Sequence, residues 1–197
     1  MAIKIPDLIG SRSSYSEMRI EELKRRVTGI PKLPKFDQLA IYVTGSYARQ
    51  EASEHSDIDL FFFINGRAKD LPDVRIDTMR LFSKIIETAD VMRFPKFSND
   101  GEYLKLIFLE DIIKHLGGVE DDYLNHFTAR MLLLLESTPI YGDLAYDDVI
   151  KKIVDSYFRD YPDHTSTFRP IFLVNDIIRF WKTLCLNYEH KRNQPNE

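Results

Sequence analysis

The chain has 197 residues, 44% of them hydrophobic and 12% aromatic, enough to close a packed core and to exclude wholesale disorder. Its 27 basic and 31 acidic residues give a net charge of −4, so the global basic footprint of a duplex-binding protein is missing. One cysteine, Cys185, excludes an internal disulfide, no apolar run reaches the roughly 18 residues of a membrane span, and MAIKIPDLIG lacks a secretory core and cleavage site, which together predict a cytoplasmic protein.

In chain order, Ser14-Tyr15-Ser16-Glu17 has the S-x-x-E form of a capping box. It predicts a helix to about Val27, with Gly29 as its stop and Pro31 and Pro34 in the linker. QLAIYVTG, β-branched, aromatic and ending at glycine, predicts a strand over 38–44. IDLFFFI predicts a second over 58–64, apolar on both faces and therefore central to a covered sheet, ended by Asn65-Gly66. Asp70 suits a helix cap with Pro72 in the first turn, and Met79, Phe82, Ile85, Ile86 and Ala89 recur at helical spacing behind it. EYLKLIFL predicts a third strand over 103–109. The later segments read as helices broken at Gly117-Gly118, Pro139 and Pro162. The expectation is an α+β chain: a small mixed sheet flanked by helices in residues 1–118, then a helical bundle in 119–197. The abrupt stop in NQPNE suggests that the bundle is truncated.

The informative stretch is TGSYARQEASEHSDIDLFFF, residues 44–63. Strand side chains alternate, so Asp57 and Asp59 project from one face, side by side. Two like charges that close are unfavourable unless a cation lies between them, and magnesium, held by one or two carboxylates plus substrate phosphates, is the natural candidate. Gly45 lets a backbone approach a phosphate closely, and Ser46 adds a hydroxyl at the turn before a short helix. A phosphate cradle beside metal carboxylates makes a site for a nucleoside triphosphate, ATP among them.

Gly45-Ser46, ten residues, Asp57-Ile58-Asp59 and then a strand resemble the DNA polymerase β-type nucleotidyltransferase superfamily. Within it the segment is most similar to the minimal nucleotidyltransferases and to the catalytic domain of the PII-protein uridylyltransferases. The small-enzyme pattern continues GSxARGE, and here Gln50 replaces the glycine. The resemblance implies nucleotidyl transfer with two Mg²⁺ ions shared between Asp57, Asp59 and the triphosphate. It implies that Gly45 and Ser46 hold the β- and γ-phosphates and that Arg49 contacts phosphate or acceptor. It also calls for a third carboxylate on a neighbouring strand, a ligand of the same metal and able to draw the proton from the acceptor hydroxyl. Asp100 and Glu102 share a parity, and Gly101 interrupts pairing at Asp100, so Glu102 is the choice and Asp100 the reserve.

His55 reads as a solvated loop residue, the other histidines lack metal-ligand spacing, and Cys185 reads as core. Asn175, Asp176, Arg179 and Lys182 share a helix face, either solvated or, as the superfamily's closing helical domain implies, with Arg179 and Lys182 on the triphosphate. The expected function is transfer of a nucleoside monophosphate to an acceptor hydroxyl with release of pyrophosphate. A protein or small-molecule acceptor is favoured over nucleic acid, and no membrane is involved. The alternative is a catalytically silent nucleotidyltransferase-like module that senses a nucleotide or binds a partner.

Overall fold

A computed structural model describes residues 5–31, 38–67, 75–95, 97, 101 and 103–193. The elements follow in the order α1 (Ile5–Thr28), β1 (Leu39–Thr44), α2 (Gly45–Ala48), β2 (Leu60–Ile64), α3 (Arg75–Val91), β3 (Leu106–Phe108), α4 (Leu109–His115), α5 (Val119–Tyr123), α6 (His126–Leu135), β4 (Ser137–Tyr141), α7 (Asp143–Tyr157) and α8 (Ile171–Arg192). The four strands form one mixed sheet in the order β3-β2-β1-β4, with β2 and β3 parallel and the other pairs antiparallel.

Alternation along the central strands divides the core into two layers. Leu39, Ile41 and Val43 of β1 and Leu60, Phe62 and Ile64 of β2 meet Ile20, Leu23 and Val27 of α1 and Leu81, Ile85 and Ala89 of α3. On the opposite face Ala40, Tyr42, Phe61 and Phe63 meet Ile112 of α4, Phe127 and Met131 of α6, and Val149 and Ile153 of α7. All five residues of β2 are buried, as its uninterrupted apolar run requires. Full burial of each phenylalanine contributes about 2–3 kcal/mol.

Two elements differ from the sequence expectation. α1 begins at Ile5, so Ser14-Tyr15-Ser16-Glu17 lies inside the helix and caps nothing, whereas the end at Thr28, before Gly29, agrees. β4 comes from beyond Gly118, in a stretch expected to hold only helices. It occupies a sheet edge, where Pro139 lacks no needed hydrogen bond. One extra residue, Ile140, bulges between the pairs Tyr42–Pro139 and Ile41–Tyr141. Gly142 then turns the chain into α7 at φ +76°, with the space for a Cβ filled by the Leu39 carbonyl oxygen 2.0 Å away. Cys185 of α8, read from the sequence as core, is exposed, and of the α3 residues at helical spacing Met79 and Ile86 are exposed while Ile85 and Ala89 are buried. The expected Asp70–Pro72 cap lies outside the described residues.

Candidate active site

β1 delivers the chain to Gly45, whose φ of +66° turns it into the one-turn helix α2. A Cβ on Gly45 would stand 3.3 Å from Oδ2 of Asp59, so the glycine turn and the second aspartate are in direct apposition. The β1–β2 ladder carries on to this point, because the Thr44 N–H donates to the Asp59 carbonyl oxygen at 3.0 Å. Ile58 and Leu60 enter the core beneath α1 and α3, while Asp57 is exposed and Asp59 half-buried. The two carboxylates therefore leave the chain on the side away from that core.

α2 closes with a complete Schellman motif. The Gln50 N–H donates to the Tyr47 carbonyl at 3.1 Å and the Glu51 N–H to the Ser46 carbonyl at 2.8 Å. This geometry places Gln50 in the left-handed region at φ 59°, where the superfamily pattern has glycine. The departure therefore keeps the backbone shape of the turn at the expense of local strain.

Helix α1 holds this turn from the side. Arg12 donates to the Glu51 carbonyl at 2.9 Å, Ser13 donates to the Gln50 side-chain oxygen at 2.8 Å, and buried Ser16 accepts from the Ala52 N–H at 3.1 Å. Sequence reasoning assigned the serines of this segment to a cap and missed the clamp. The signal was the serine run itself, legible only once the helix is known to begin nine residues earlier. Beneath the turn, Tyr47 stacks edge-on against Phe94, and burial pushes its phenol up to about 12.

Arg49 pairs with Glu51 at 2.9 Å and with Glu136, which directly precedes β4. Burial works against its charge, but the hydrogen bonds it donates to Glu136 and Glu51 raise its affinity for the proton above the ordinary value. Glu136 was not singled out from the sequence, since nothing local marks a carboxylate that arrives on another strand. His55 is exposed beside Glu54, in keeping with a solvated loop. Asp59, Phe97, Gly101, Tyr103 and Leu104 line one small cleft at the mouth of β2. Asp100 and Glu102 lie outside the described residues.

A family model for the nucleotidyltransferase domain matches residues 23–157. The chain belongs to the nucleotidyltransferase family. The match runs from the last six residues of α1 through the whole sheet to the end of α7, so the resemblance rests on the α+β scaffold as well as on the glycine–aspartate motif. No curated protein and no solved structure matches the chain.

In this nucleotidyltransferase domain the candidate metal ligands are hard oxygen donors on an open face, which suits a cation completing its shell with substrate phosphates and water. Among the described residues no group of three His, Cys, Asp or Glu side chains is gathered as a metal site. On α8, Arg179 pairs with Asp122 and lies 4.0 Å over the Phe127 ring, and Lys182 is exposed. Neither makes a hydrogen bond or ion pair to residues 44–59 among those described. A cavity of about 410 Å³ between the end of α7 and the start of α8, lined by His164, Phe168 and Arg169 among others, contains no residue of the candidate site.

Proposed function

We propose that this nucleotidyltransferase domain moves a nucleoside monophosphate from a triphosphate to an acceptor hydroxyl, releasing pyrophosphate, with a protein as the favoured acceptor. The observation that carries the proposal is the apposition of Gly45 and the Asp59 carboxylate at the mouth of β2. A triphosphate lying along the Gly45-Ser46 backbone would have its phosphates beside Asp57 and Asp59. These two residues would hold Mg²⁺, which when bound neutralises charge on the phosphates and lowers the pKa of a coordinated hydroxyl. The chain's own part is orientation. Gly45 admits the phosphates because no Cβ blocks them, and Tyr47 and the α1 serines keep the turn rigid.

Glu102 is the proposed third carboxylate, to take the proton of the acceptor hydroxyl, with Asp100 as reserve. Support comes from Gly101 and Tyr103, which flank Glu102 in sequence and line the cleft that Asp59 lines. ATP, a cytoplasmic setting and triphosphate contacts by Arg179 and Lys182 belong to the same proposal. Arg49 is paired with Glu136 and Glu51, so its phosphate contact would require exchange of one carboxylate for the ligand. That commitment is also the observation that favours the second reading, a silent nucleotide-sensing module.

The test is incubation with α-labelled triphosphates, Mg²⁺ and cell extract, which reports base choice and acceptor class together. Asp57→Ala and Asp59→Ala should each reduce transfer on the order of 10³-fold or more, the loss of several kcal/mol of charge stabilisation, with an unchanged circular dichroism spectrum. Full activity in either variant would falsify the site. Nucleotide binding without transfer by the unchanged chain would favour the silent module. Lys182→Ala should weaken nucleotide affinity, and an unaltered Kd removes Lys182 from the proposal.

A further inference from the structure

α8 is attached to the body along one narrow face. Phe180 is its one buried apolar side chain among those described. Asp176 reaches Arg130 at 2.9 Å and Tyr157 at 2.5 Å, and Arg179 pairs with Asp122. A second apolar stripe runs along the helix about a third of a turn away. Ile171, Val174, Ile178, Trp181, Cys185 and Tyr188 recur at intervals of three, four, three, four and three, and every one of them is exposed. Trp181 and Tyr188 expose 66% and 68% of their surface.

This spacing is the a/d seam of a coiled coil, which calls for a helix as its occupant. No charged side chain interrupts it from Ile171 to Tyr188, and Arg192 stands at the next position. A lipid surface would instead select a broad apolar face with a cationic rim. Here the polar residues along one edge, Asn175, Lys182 and Glu189, are of mixed charge rather than a cationic rim.

We propose that the occupant is α8 of a second copy of this chain, packed antiparallel about a two-fold axis. The interval pattern reads the same in both directions, so an antiparallel copy aligns all six layers at once. Ile171 then meets Tyr188 of the second copy, Val174 meets Cys185, and Ile178 meets Trp181. Each large aromatic faces a branched aliphatic, and the two small residues face each other, as interdigitating layers require. Ile177 and Leu184, both partly exposed, flank the seam on one side and add a further apolar pair. With aromatic side chains contributing about 150–250 Å² each when buried, pairing would cover on the order of 800 Å² per copy, one partner's share of a stable interface. α8 lies beyond the residues matched by the family model, so the pairing is a property of this chain rather than of the domain.

Trp181 is the sole tryptophan and stands in the seam, which makes it a reporter of occupancy. Sedimentation velocity should show a dimer at tens of micromolar, and Trp181 emission should shift to the red on dilution as the dimer dissociates. Ile178→Asp should give a monomer with unchanged circular dichroism and red-shifted emission at every concentration. Mild oxidation should cross-link the Val174→Cys chain to Cys185 of a second copy, while the unchanged chain, whose Cys185 faces valine, should stay uncross-linked. A monomer at all concentrations overturns the proposal. So does a Cys185–Cys185 cross-link in the unchanged chain, which would require a different alignment, and so does Trp181 shielding that arises only on adding anionic vesicles.

Discussion

Gln50 shows how one side chain can be at odds with the backbone it occupies. Its left-handed φ is set by the Schellman bonds that end α2, and glycine would take that conformation without a Cβ penalty of about 1–2 kcal/mol. Gln50→Gly and Gln50→Ala both lose the Ser13 hydrogen bond, so they differ only in the backbone. Glycine relieves the left-handed strain that alanine keeps, and after its larger unfolded-state entropy is subtracted the glycine chain should be the more stable of the two by about 0.5–1 kcal/mol. Urea unfolding of both variants decides the matter, since loss of the Ser13 bond alone would leave them equal. The pair His115 and His126 offers a second residue-scale test. Their Nδ1 atoms lie 3.3 Å apart, so one ring must donate and the other accept. Burial, and then the charge on His115, hold His126 below the ordinary imidazole value; Lys105 acts in the same direction, while Asp111 and Asp121 oppose it. The unfolded chain then binds the proton more readily than the fold. Stability should be fully present above the ordinary value of 6.5 and decline as pH falls through the lowered folded value. His126→Gln should flatten that decline in urea titrations across the acid range. The Gly45–Asp59 pairing was legible in the sequence because Gly-Ser, a short helix and Asp-x-Asp come together between two apolar strands, a combination far more specific than any of its parts. Glu136 and the Ser13–Gln50 bond were not, since their partners come from remote segments.

At the scale of elements, legibility followed how local the cause was. β1 and β2 announced themselves because short apolar runs rich in β-branched and aromatic residues and bounded by glycine turns favour covered strands over helices. The start of α1 did not, because S-x-x-E is as compatible with a helix interior as with its first turn, and Ser16 within the motif accepts from the Ala52 N–H outside the helix. β4 was hidden by Pro139, a residue that ends helices and is tolerated in a strand only at an edge or bulge. Its exit gives a sharp prediction. Gly142→Ala would place a methyl group against the Leu39 carbonyl in a left-handed conformation, so it should cost well above the ordinary left-handed strain of about 1–3 kcal/mol. Phe62→Ala in central β2 should cost about 3–5 kcal/mol through the cavity it leaves under α3. Thermal unfolding ranks the two against the unchanged chain. A Gly142→Ala chain of normal stability would mean that β4 leaves the sheet by another route.

At the scale of the whole molecule, one buried cation ties the last four helices together. Arg130, fully buried on α6, forks onto Asp121 of α5 with two bonds of 2.7 Å, and also meets Tyr157 of α7 and Asp176 of α8. Arg130→Leu strands Asp121 inside the protein and should cost about 3–5 kcal/mol. Arg130→Lys should recover little of this, because a point charge cannot replace the fork. Equal stability of the arginine and lysine chains by urea unfolding would refute that account. The placement of β4 also has a consequence in time. β1 pairs with a strand that begins ninety-three residues after Thr44, Ser137 being the residue opposite it. During synthesis the glycine turn and its aspartates emerge long before the strand that closes their sheet, so β1 waits as an open edge available to any passing strand. Loop closure over that span also makes the pairing slow. A nascent chain arrested before Ser137 should therefore be protease-sensitive and prone to aggregate, and one released a little beyond Tyr157 should not. Birth of the candidate site is thus a late event, governed by a strand that follows every residue proposed to hold its metal.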